Sequence, residues 1–425
     1  MRYIADLHIH SKYSRACSKD LDLEGNTRWA RIKGIDIVGT GDFTHPIWLK
    51  ELKDKLEEKV PGLYCLKKQY QVSKTKASDK DVFFMLTTEL SCIYSQGGKT
   101  RRIHLCVWVP DFKTVDAIVT ELENRKVNLR SDGRPIMGLS AIELTKIVMQ
   151  ANSQSIVVPA HMWTPWFSVF GSKSGFDSLE ECFGETTKYI FAGETGLSSD
   201  PAMNYKISAL DDLVLVSNSD AHSPANLGRE ANVFEINEKD LSFFEIRKIL
   251  QQKDSKRFLY TIEFFPEEGK YHADGHEICG VRLEPNETKK LKGICPKCKK
   301  PLTIGVLSRV EELADRKIAK NPHGINSKYI IPLPEVIAEA YGIGKNSKKV
   351  QSFYFDMINK LGSEFDILLD VPIEKISQLI GPEIAKGISL MRDQKVSVTP
   401  GYDGVYGVIK VFGDSPPFKK QKSLF

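Results

Sequence analysis

No stretch of this chain is apolar for long enough to span a bilayer. The opening residues run straight into a strand-like segment and lack the charged, apolar and cleavage regions of a signal peptide. The sequence therefore reads as cytoplasmic, and Asn286-Glu287-Thr288 has no weight as a glycosylation acceptor. A large excess of charge of one sign is missing too. The formal net charge of +5 permits a nucleic-acid partner without requiring one. A disulfide framework is excluded on the same reading. Eight cysteines in 425 residues of a cytosolic protein suit buried thiols or metal ligands. Cys65, Cys92, Cys106 and Cys182 sit in or near apolar runs and read as inert core, whereas Cys279, Cys295 and Cys298 stand together. There is no internal repeat and no complete nucleotide-binding motif. Gly97-Gly98-Lys99-Thr100 imitates the end of a P-loop, but position 93 is Ile where the motif needs Gly.

What is present begins with an alternation. Strand-like runs at 3–7, 35–40, 82–87, 103–109, 155–160, 189–193 and 213–217 are separated by helix-like segments such as 46–59, 113–125, 140–151 and 201–211. The last starts with Asp200 as N-cap and Pro201 at the first helical position. This order predicts a mostly parallel α/β fold. A barrel is favoured over an open sheet because His8, Asp42, Glu89, His161, Glu194 and Asp220 each follow a strand closely, and barrel chemistry gathers at strand ends. Residues 67–80 read as an exposed insertion. Residues 303–320 carry one helical pattern. Residues 333–393 are helical with glycine and proline interruptions, and 396–412 read as a small hairpin.

The histidines follow the strands. In His8-Ile9-His10 the two imidazoles share one face of an extended chain and make half of a metal site. The full candidate set is His8, His10, Asp42, His45, Glu89, His104, His161, Asp220 and His222. Imidazole and carboxylate together suit Zn, Mn or Fe better than cations that want oxygen alone. A carboxylate such as Glu89 can bridge two cations, and clustered cations serve phosphoryl-ester hydrolysis.

Taken in order, Asp-Leu-His-Ile-His, Gly-Thr-Gly-Asp-Phe-Thr-His, Thr-Thr-Glu-Leu, Ile-His-Leu, Pro-Ala-His and Ser-Asp-Ala-His resemble the motifs of the polymerase and histidinol phosphatase (PHP) superfamily. The resemblance spans residues 1–222. It implies a distorted seven-stranded (β/α)7 barrel with a trinuclear metal site. His8, His10, Glu89 and Asp220 would hold one cation, Glu89, His104 and His161 a second, with His222 at a third. The chain departs from the pattern at Gly41-Asp42-Phe43, where the superfamily commonly has Thr-Asp-His. The next histidine is His45, and Ala16 and Cys17 occupy the region of a further third-site ligand.

His276-x2-Cys279 and Cys295-x2-Cys298 form two chelating pairs, the arrangement of a closed structural zinc site, and His272 could replace His276. Trp163, Trp166 and Phe167 follow His161 directly and could engage an extruded base. Lys345, Lys348 and Lys349, after Gly342-Ile343-Gly344, could hold a phosphate at a helix start.

The whole order resembles the endonuclease Q family: a PHP barrel, then Asp274-Gly275-His276-x2-Cys279 with Cys295-Pro296-Lys297-Cys298, then a helical region ending in Pro400-Gly401-Tyr402-Asp403-Gly404. The resemblance implies a nucleoid-associated DNA-repair endonuclease. It would cut 5′ of a deaminated base (uracil, hypoxanthine, xanthine) or an abasic site, leaving a 3′-hydroxyl and a 5′-phosphate. Glu89, Asp220 and His161 would carry the chemistry, with two or three divalent cations and a structural zinc as cofactors. The implied division is a barrel over 1–265, a zinc-binding domain over 266–320, a helical domain with a terminal hairpin over 321–412, and a disordered tail over 413–425. Gln421, Leu424 and Phe425 in that tail resemble a sliding-clamp-binding peptide. Two other readings fit less of the chain: a small-molecule phosphatase on the same barrel, and a non-catalytic DNA-binding clamp adaptor.

Overall fold

The computed structural model describes residues 1–73, 78 and 80–413. Its frame is a mixed sheet in which hydrogen-bonded strands follow the order Asn326–Tyr329, Phe258–Glu263, Ala231–Glu235, Arg2–Asp6, Ile37–Gly39, Phe83–Gln96, Leu63–Leu66 and Leu56–Val60. Phe83–Gln96 also pairs with Lys99–Val109 in a long hairpin turned at Gly97-Gly98, and Lys99–Val109 pairs in turn with Ile156–Pro159. A separate parallel pair, Ala192–Glu194 with Val214–Val216, continues the wall back toward the opening strand. The Met162 N–H donates to the Glu194 carbonyl at 3.0 Å, and the Leu7 N–H donates to Asn218 Oδ1 at 2.8 Å. The strand ends carrying His8, His161, Glu194 and Asp220 therefore meet at one place, beside Glu89 in the middle of Phe83–Gln96.

Period-two alternation sorts the apolar residues into two layers. Ala5, Leu7, Ile37, Met85, Cys106, Val158, Ala160, Ala192, Val214 and Val216 pack together beneath the site. Their neighbours Ile4, Val38, Phe84, Leu105, Val107, Val157 and Leu215 join the larger core shared with the helices. Two predicted helices form nearly as read. Phe112–Asn124 is capped by Asp111, and Ala141–Ala151 by a Ser140–Glu143 capping box. Two others are shorter than predicted. The helix after His45 ends at Lys55, and Leu56–Val60 forms an edge strand running into Pro61, which favours extended backbone before it. Pro201–Asn204 is a single turn because the Asn204 side chain folds back, donating to the Asp200 carbonyl and accepting from Trp163 Nε1.

Beyond Glu263 the chain leaves the sheet for a small lobe. Asp274–His276 pairs with Val281–Leu283, a cysteine loop follows, and the helix Val306–Leu313 leads back to Asn326–Tyr329, which pairs parallel with Phe258–Glu263. Four helices come next: Leu333–Tyr341, Lys348–Leu361, Ile373–Leu379 and Pro382–Arg392. The predicted terminal hairpin is the pair Ser397–Thr399 with Val408–Lys410. It locks onto the lobe, with the Ala273 N–H donating to the Gly401 carbonyl and Asp403 accepting from the Glu277 N–H. Among the described residues no helix is long and apolar enough to cross a membrane.

Candidate metal centre and cleft

The centre is built around Glu89, in the middle of the long strand Phe83–Gln96 and fully buried. Its Oε1 lies 2.6 Å from His104 Nδ1 and 3.0 Å from His161 Nε2. Its Oε2 faces the other way, 3.3 Å from His10 Nε2 and 3.5 Å from His8 Nε2. Asp220 Oδ1 closes that side at 2.9 Å from His10 Nε2 and 3.7 Å from His8 Nε2. Two donor sets result, each with its ligand atoms within 4.8 Å of one another: His8, His10, Glu89 and Asp220, and Glu89, His104 and His161. Glu89 belongs to both, one oxygen to each.

A second layer of carboxylates aims the imidazoles. His8 Nδ1 is 2.9 Å from Glu194 Oε2, and His10 Nδ1 is 3.1 Å from Asp42 Oδ1. With each Nδ1–H engaged there, each Nε2 presents its lone pair to the centre, the arrangement that orients metal-binding histidines. Backbone strain serves the same end. His161 (φ 31°) and Asp220 (φ 48°) both sit in the left-handed region, which is costly for residues with a Cβ and concentrates at functional sites. The backbone at His161 is accommodated because residue 196 is glycine; a Cβ there would lie 2.5 Å from the His161 Cβ.

The donor sets fit divalent cations. His8 Nε2 is buried without a hydrogen-bond partner, and the mixture of imidazole and carboxylate is the one such ions take. Burial works against charge on His10, but Asp42, Asp220 and Glu89 outweigh it and raise the ring well above its ordinary pKa; the same surplus of negative charge favours a cation in place of the Nε2 proton. Burial would likewise raise Glu89, yet His104, Arg134 and His8 drive it well below the usual carboxylate range. His104 is pushed down to about 4, chiefly by burial, so it is neutral and ready to ligate at neutral pH.

Three residues named from sequence stand elsewhere than expected. Asp42 is not free to ligate: Oδ2 accepts from the Ser11 N–H and hydroxyl, both at 2.6 Å, and from Ser14 Oγ at 2.8 Å, while Oδ1 faces His10. It is a positioning carboxylate. His45 starts the following helix and stacks on Tyr13 at 4.5 Å between centroids, outside both sets. Trp163 is 1% exposed, hydrogen-bonded to Asn204 and packed on Phe170, so it cannot stack on a nucleobase. His222 reaches the cleft edge, its ring 4.6 Å from that of His10.

A cavity of about 810 Å³ opens from His104 and His161. Trp166, Phe167, Phe264, Tyr271 and Tyr406 give it aromatic walls, and Arg134, Arg229, Lys270 and Lys345 give it positive charge. Phe167 packs on His104 at 4.6 Å, and Trp166 meets Tyr271 edge-on at 5.7 Å. Lys345 pairs with Glu335 at 2.8 Å at the rim. Lys348 and Lys349 are exposed on the next helix, with Lys349 over the Tyr341 ring. Sequence reading missed Arg134, Arg229, Tyr271 and Tyr406, which lie in segments with no motif. Glu194 stood out only as a polar residue at a strand end.

In the small lobe His276, Cys279, Cys295 and Cys298 also bring one donor atom each within 4.8 Å. Burial opposes ionisation of Cys295, but the N–H groups of Cys298 and Lys297 pull its thiol down to about 7. His272 lies apart from the four and is buried, with its ring pushed down to about 4 by burial. Of the two histidines, His276 is the one placed with the cysteines.

A family model described as the MJ0043 C-terminal domain matches residues 332–395. The uncharacterized protein MJ0043 of Methanocaldococcus jannaschii is 36% identical over 265 residues, 61% of this chain but only 32% of that protein, so the chain matches about a third of that relative's length. The uncharacterized protein YqxK of Bacillus subtilis is 27% identical over 419 residues, 96% of this chain and 98% of its own. Among solved structures, the lesion-specific endonuclease PfuEndoQ from Pyrococcus furiosus is 31% identical with a TM-score of 0.84, covering 98% of both chains. An Endonuclease Q in complex with a 27-mer duplex substrate, with an abasic lesion at the active site, is 32% identical with a TM-score of 0.82 over 99% of both. At that identity over nearly the full length of both chains, this protein belongs to the endonuclease Q family.

Proposed function

We propose that this protein is a metal-dependent DNA-repair endonuclease. It hydrolyses the phosphodiester 5′ of a deaminated base (uracil, hypoxanthine or xanthine) or of an abasic site, and leaves a 3′-hydroxyl and a 5′-phosphate. The observation that carries the reading is Glu89 dividing its two oxygens between two donor sets at the head of an aromatic, basic cavity. The relatives that act on damaged DNA support the substrate class.

His8, His10, Glu89 and Asp220 would hold one cation and Glu89, His104 and His161 another, with His222 beside a third position. Cations so held supply Lewis acidity, acidifying water and polarising phosphoryl oxygens for in-line displacement. The residues themselves do the placing. Glu89 and Asp220 fix the negative side of the centre, and Glu194 and Asp42 keep the histidines turned inward. Trp166 and Phe167 offer apolar faces to a base turned out of the duplex, and extrusion costs least at a damaged or mismatched pair. In this reading Lys345, which lines the cavity, and the exposed Lys348 and Lys349 on the following helix bind the phosphates of a bound strand.

In this reading residues 1–265 are the distorted (β/α)7 barrel of the PHP superfamily, 266–320 a lobe stapled by zinc on His276, Cys279, Cys295 and Cys298, and 321–412 a helical domain. The clamp-like Gln421, Leu424 and Phe425 lie outside the described residues, and docking on a sliding clamp is proposed from their sequence alone. One assay tests the function: metal-loaded protein with uracil-containing duplex, sound duplex and a generic phosphate monoester. Nicking confined to the uracil strand is expected. Turnover of the monoester alone would make the protein a phosphatase, and binding without turnover would make it an adaptor.

A further inference from the structure

The segment 130–135 crosses the cleft on the side where a third cation would be expected. It is pinned at several points. The Gly133 N–H donates to the Tyr13 carbonyl at 3.0 Å, and the Pro135 carbonyl accepts from the Ser91 N–H at 3.2 Å. Residue 133 must be glycine in this packing, because a Cβ would lie 2.3 Å from Asp42 Oδ2 and 2.4 Å from Ser14 Oγ. The next side chain, Arg134, is thereby directed over the centre. Its Nη1 is 2.9 Å from Glu89 Oε2, the oxygen facing His8 and His10, and the side chain lines the cavity beside His104 and His161. The side chain is 28% exposed, so it is accessible from the cavity.

At the third cation position, by contrast, no ligand set converges among the described residues. Asp42 is committed to His10, Ser11 and Ser14, Phe43 is fully buried, and His45 is turned onto Tyr13. Only His222 faces the cleft edge from that group. A fixed positive group at this place need not be a metal. Guanidinium is always charged and presents planar, forked donors that match phosphate oxygens. Charge placed beforehand where it will develop is among the largest contributions to phosphoryl transfer.

We propose that Arg134 is a catalytic residue whose guanidinium binds a non-bridging oxygen of the scissile phosphate and supplies the positive charge that the incomplete third cation position does not. The proposal rests on the endonuclease reading for its substrate. In the displacement, water gives up a proton to solvent as its oxygen bonds to phosphorus, the bond from phosphorus to O3′ breaks, O3′ takes a proton from solvent to leave as the 3′-hydroxyl, and Arg134 neither gains nor loses a proton.

The test compares wild type, Arg134→Lys and Arg134→Ala as metal-loaded full-length protein. Substrates are uracil-containing duplex and bis(p-nitrophenyl) phosphate, a small phosphodiester. For Arg134→Ala we expect kcat to fall about 10²–10³-fold on both substrates. KM, duplex affinity by fluorescence anisotropy and bound metal by elemental analysis should change less than about threefold. Arg134→Lys should lie between, and added guanidinium chloride should restore part of the Arg134→Ala activity. A drop in bound metal in both variants, or a loss confined to KM, would overturn the proposal and make Arg134 a positioning partner of Glu89. Unchanged kcat in Arg134→Ala would overturn it outright. The two readings fail separately: wild type that hydrolyses the small diester but spares the uracil duplex refutes the lesion reading, while the variants on the small diester still decide the role of Arg134.

Discussion

The cleft and the small lobe assemble candidate metal sites in opposite ways. In the cleft, ligands from residue 8 to residue 220 meet under cover, and a buried carboxylate stands behind each of His8 and His10. In the lobe, all four ligands fall between residues 276 and 298, and only Cys295 is buried. The first site needs the sheet to exist before it can exist. The second is a local chelate that can help its own segment fold, as small segments poor in apolar residues require. Chemistry follows the same division. Four N and S ligands saturate an ion, whereas carboxylate and imidazole sets beside a cavity leave positions for substrate.

The contrast can be broken most severely at Glu89. Glu89→Gln should reduce nicking by more than about 10³-fold, because one substitution degrades both donor sets and a neutral amide is a poor bridging ligand. Circular dichroism should show the fold unchanged, and nicking within tenfold of wild type would remove Glu89 from the centre. Mild chelation is the next sharpest tool. It should abolish activity while about one zinc per chain stays bound, since the lobe site is closed. Cys295→Ser should lose that zinc and melt earlier. Retained zinc in the variant, read by elemental analysis, would count against the four-ligand assignment.

Glu194→Gln probes the layer that the lobe lacks. It should weaken cleft metal affinity about 10–100-fold, the usual effect of losing a carboxylate that orients a ligating histidine. Isothermal titration with Mn or Zn would report it, and lobe zinc should be unaffected. The smallest effect concerns two buried carboxyl groups near the site. Burial, reinforced by Glu263 and Glu194, holds Glu230 well above the ordinary carboxylate pKa, and burial raises Glu263 to about 7. Both are protonated more readily in the folded chain than in the unfolded one. Their contribution to stability is therefore complete below the unfolded value of 4.5 and is lost as pH rises through about 7 for Glu263. Glu230→Gln should lessen that loss, by about 1–3 kcal/mol at pH 8, the cost of an uncompensated buried polar group. Parallel pH–melting curves for variant and parent would refute it.

Much of the cleft was legible because His8, His10, His161 and Asp220 stand just past strand ends, where period-two geometry fixes their direction, whereas Glu89 and His104 lie mid-strand in a hairpin that runs further than the sequence pattern predicts. What was not legible depends on which atom meets which. Nothing in the order of residues distinguishes Asp42 as the orienter of His10 from Asp220 as a member of the donor set; both follow strands, and only the serine hydroxyls at 11 and 14 decide it. Trp163 and Trp166 lie three residues apart in one loop. One is buried against Phe170 and Asn204 and the other reaches the cavity, a division made by helix and loop contacts from distant sequence. Arg134 carries no motif at all. Its placement follows from contacts of Gly133 and Pro135 with segments far away in the chain. The choice of His276 over His272 was open for the same reason, since both precede the cysteine pair at short spacing and only the folded lobe brings one of them to the cysteines and buries the other.

That hairpin also has a consequence in time. Tyr406, near its turn, forms part of the cavity wall, while His8 and His10 follow the strand Arg2–Asp6. At a synthesis rate of about 5–20 residues per second, the ribosome takes roughly tens of seconds to pass from one to the other. Throughout that interval the nascent chain carries the first histidines of the candidate metal centre without the wall that completes the cleft. A nuclease ordered in this way acquires its finished cutting site only once Tyr406 has been made.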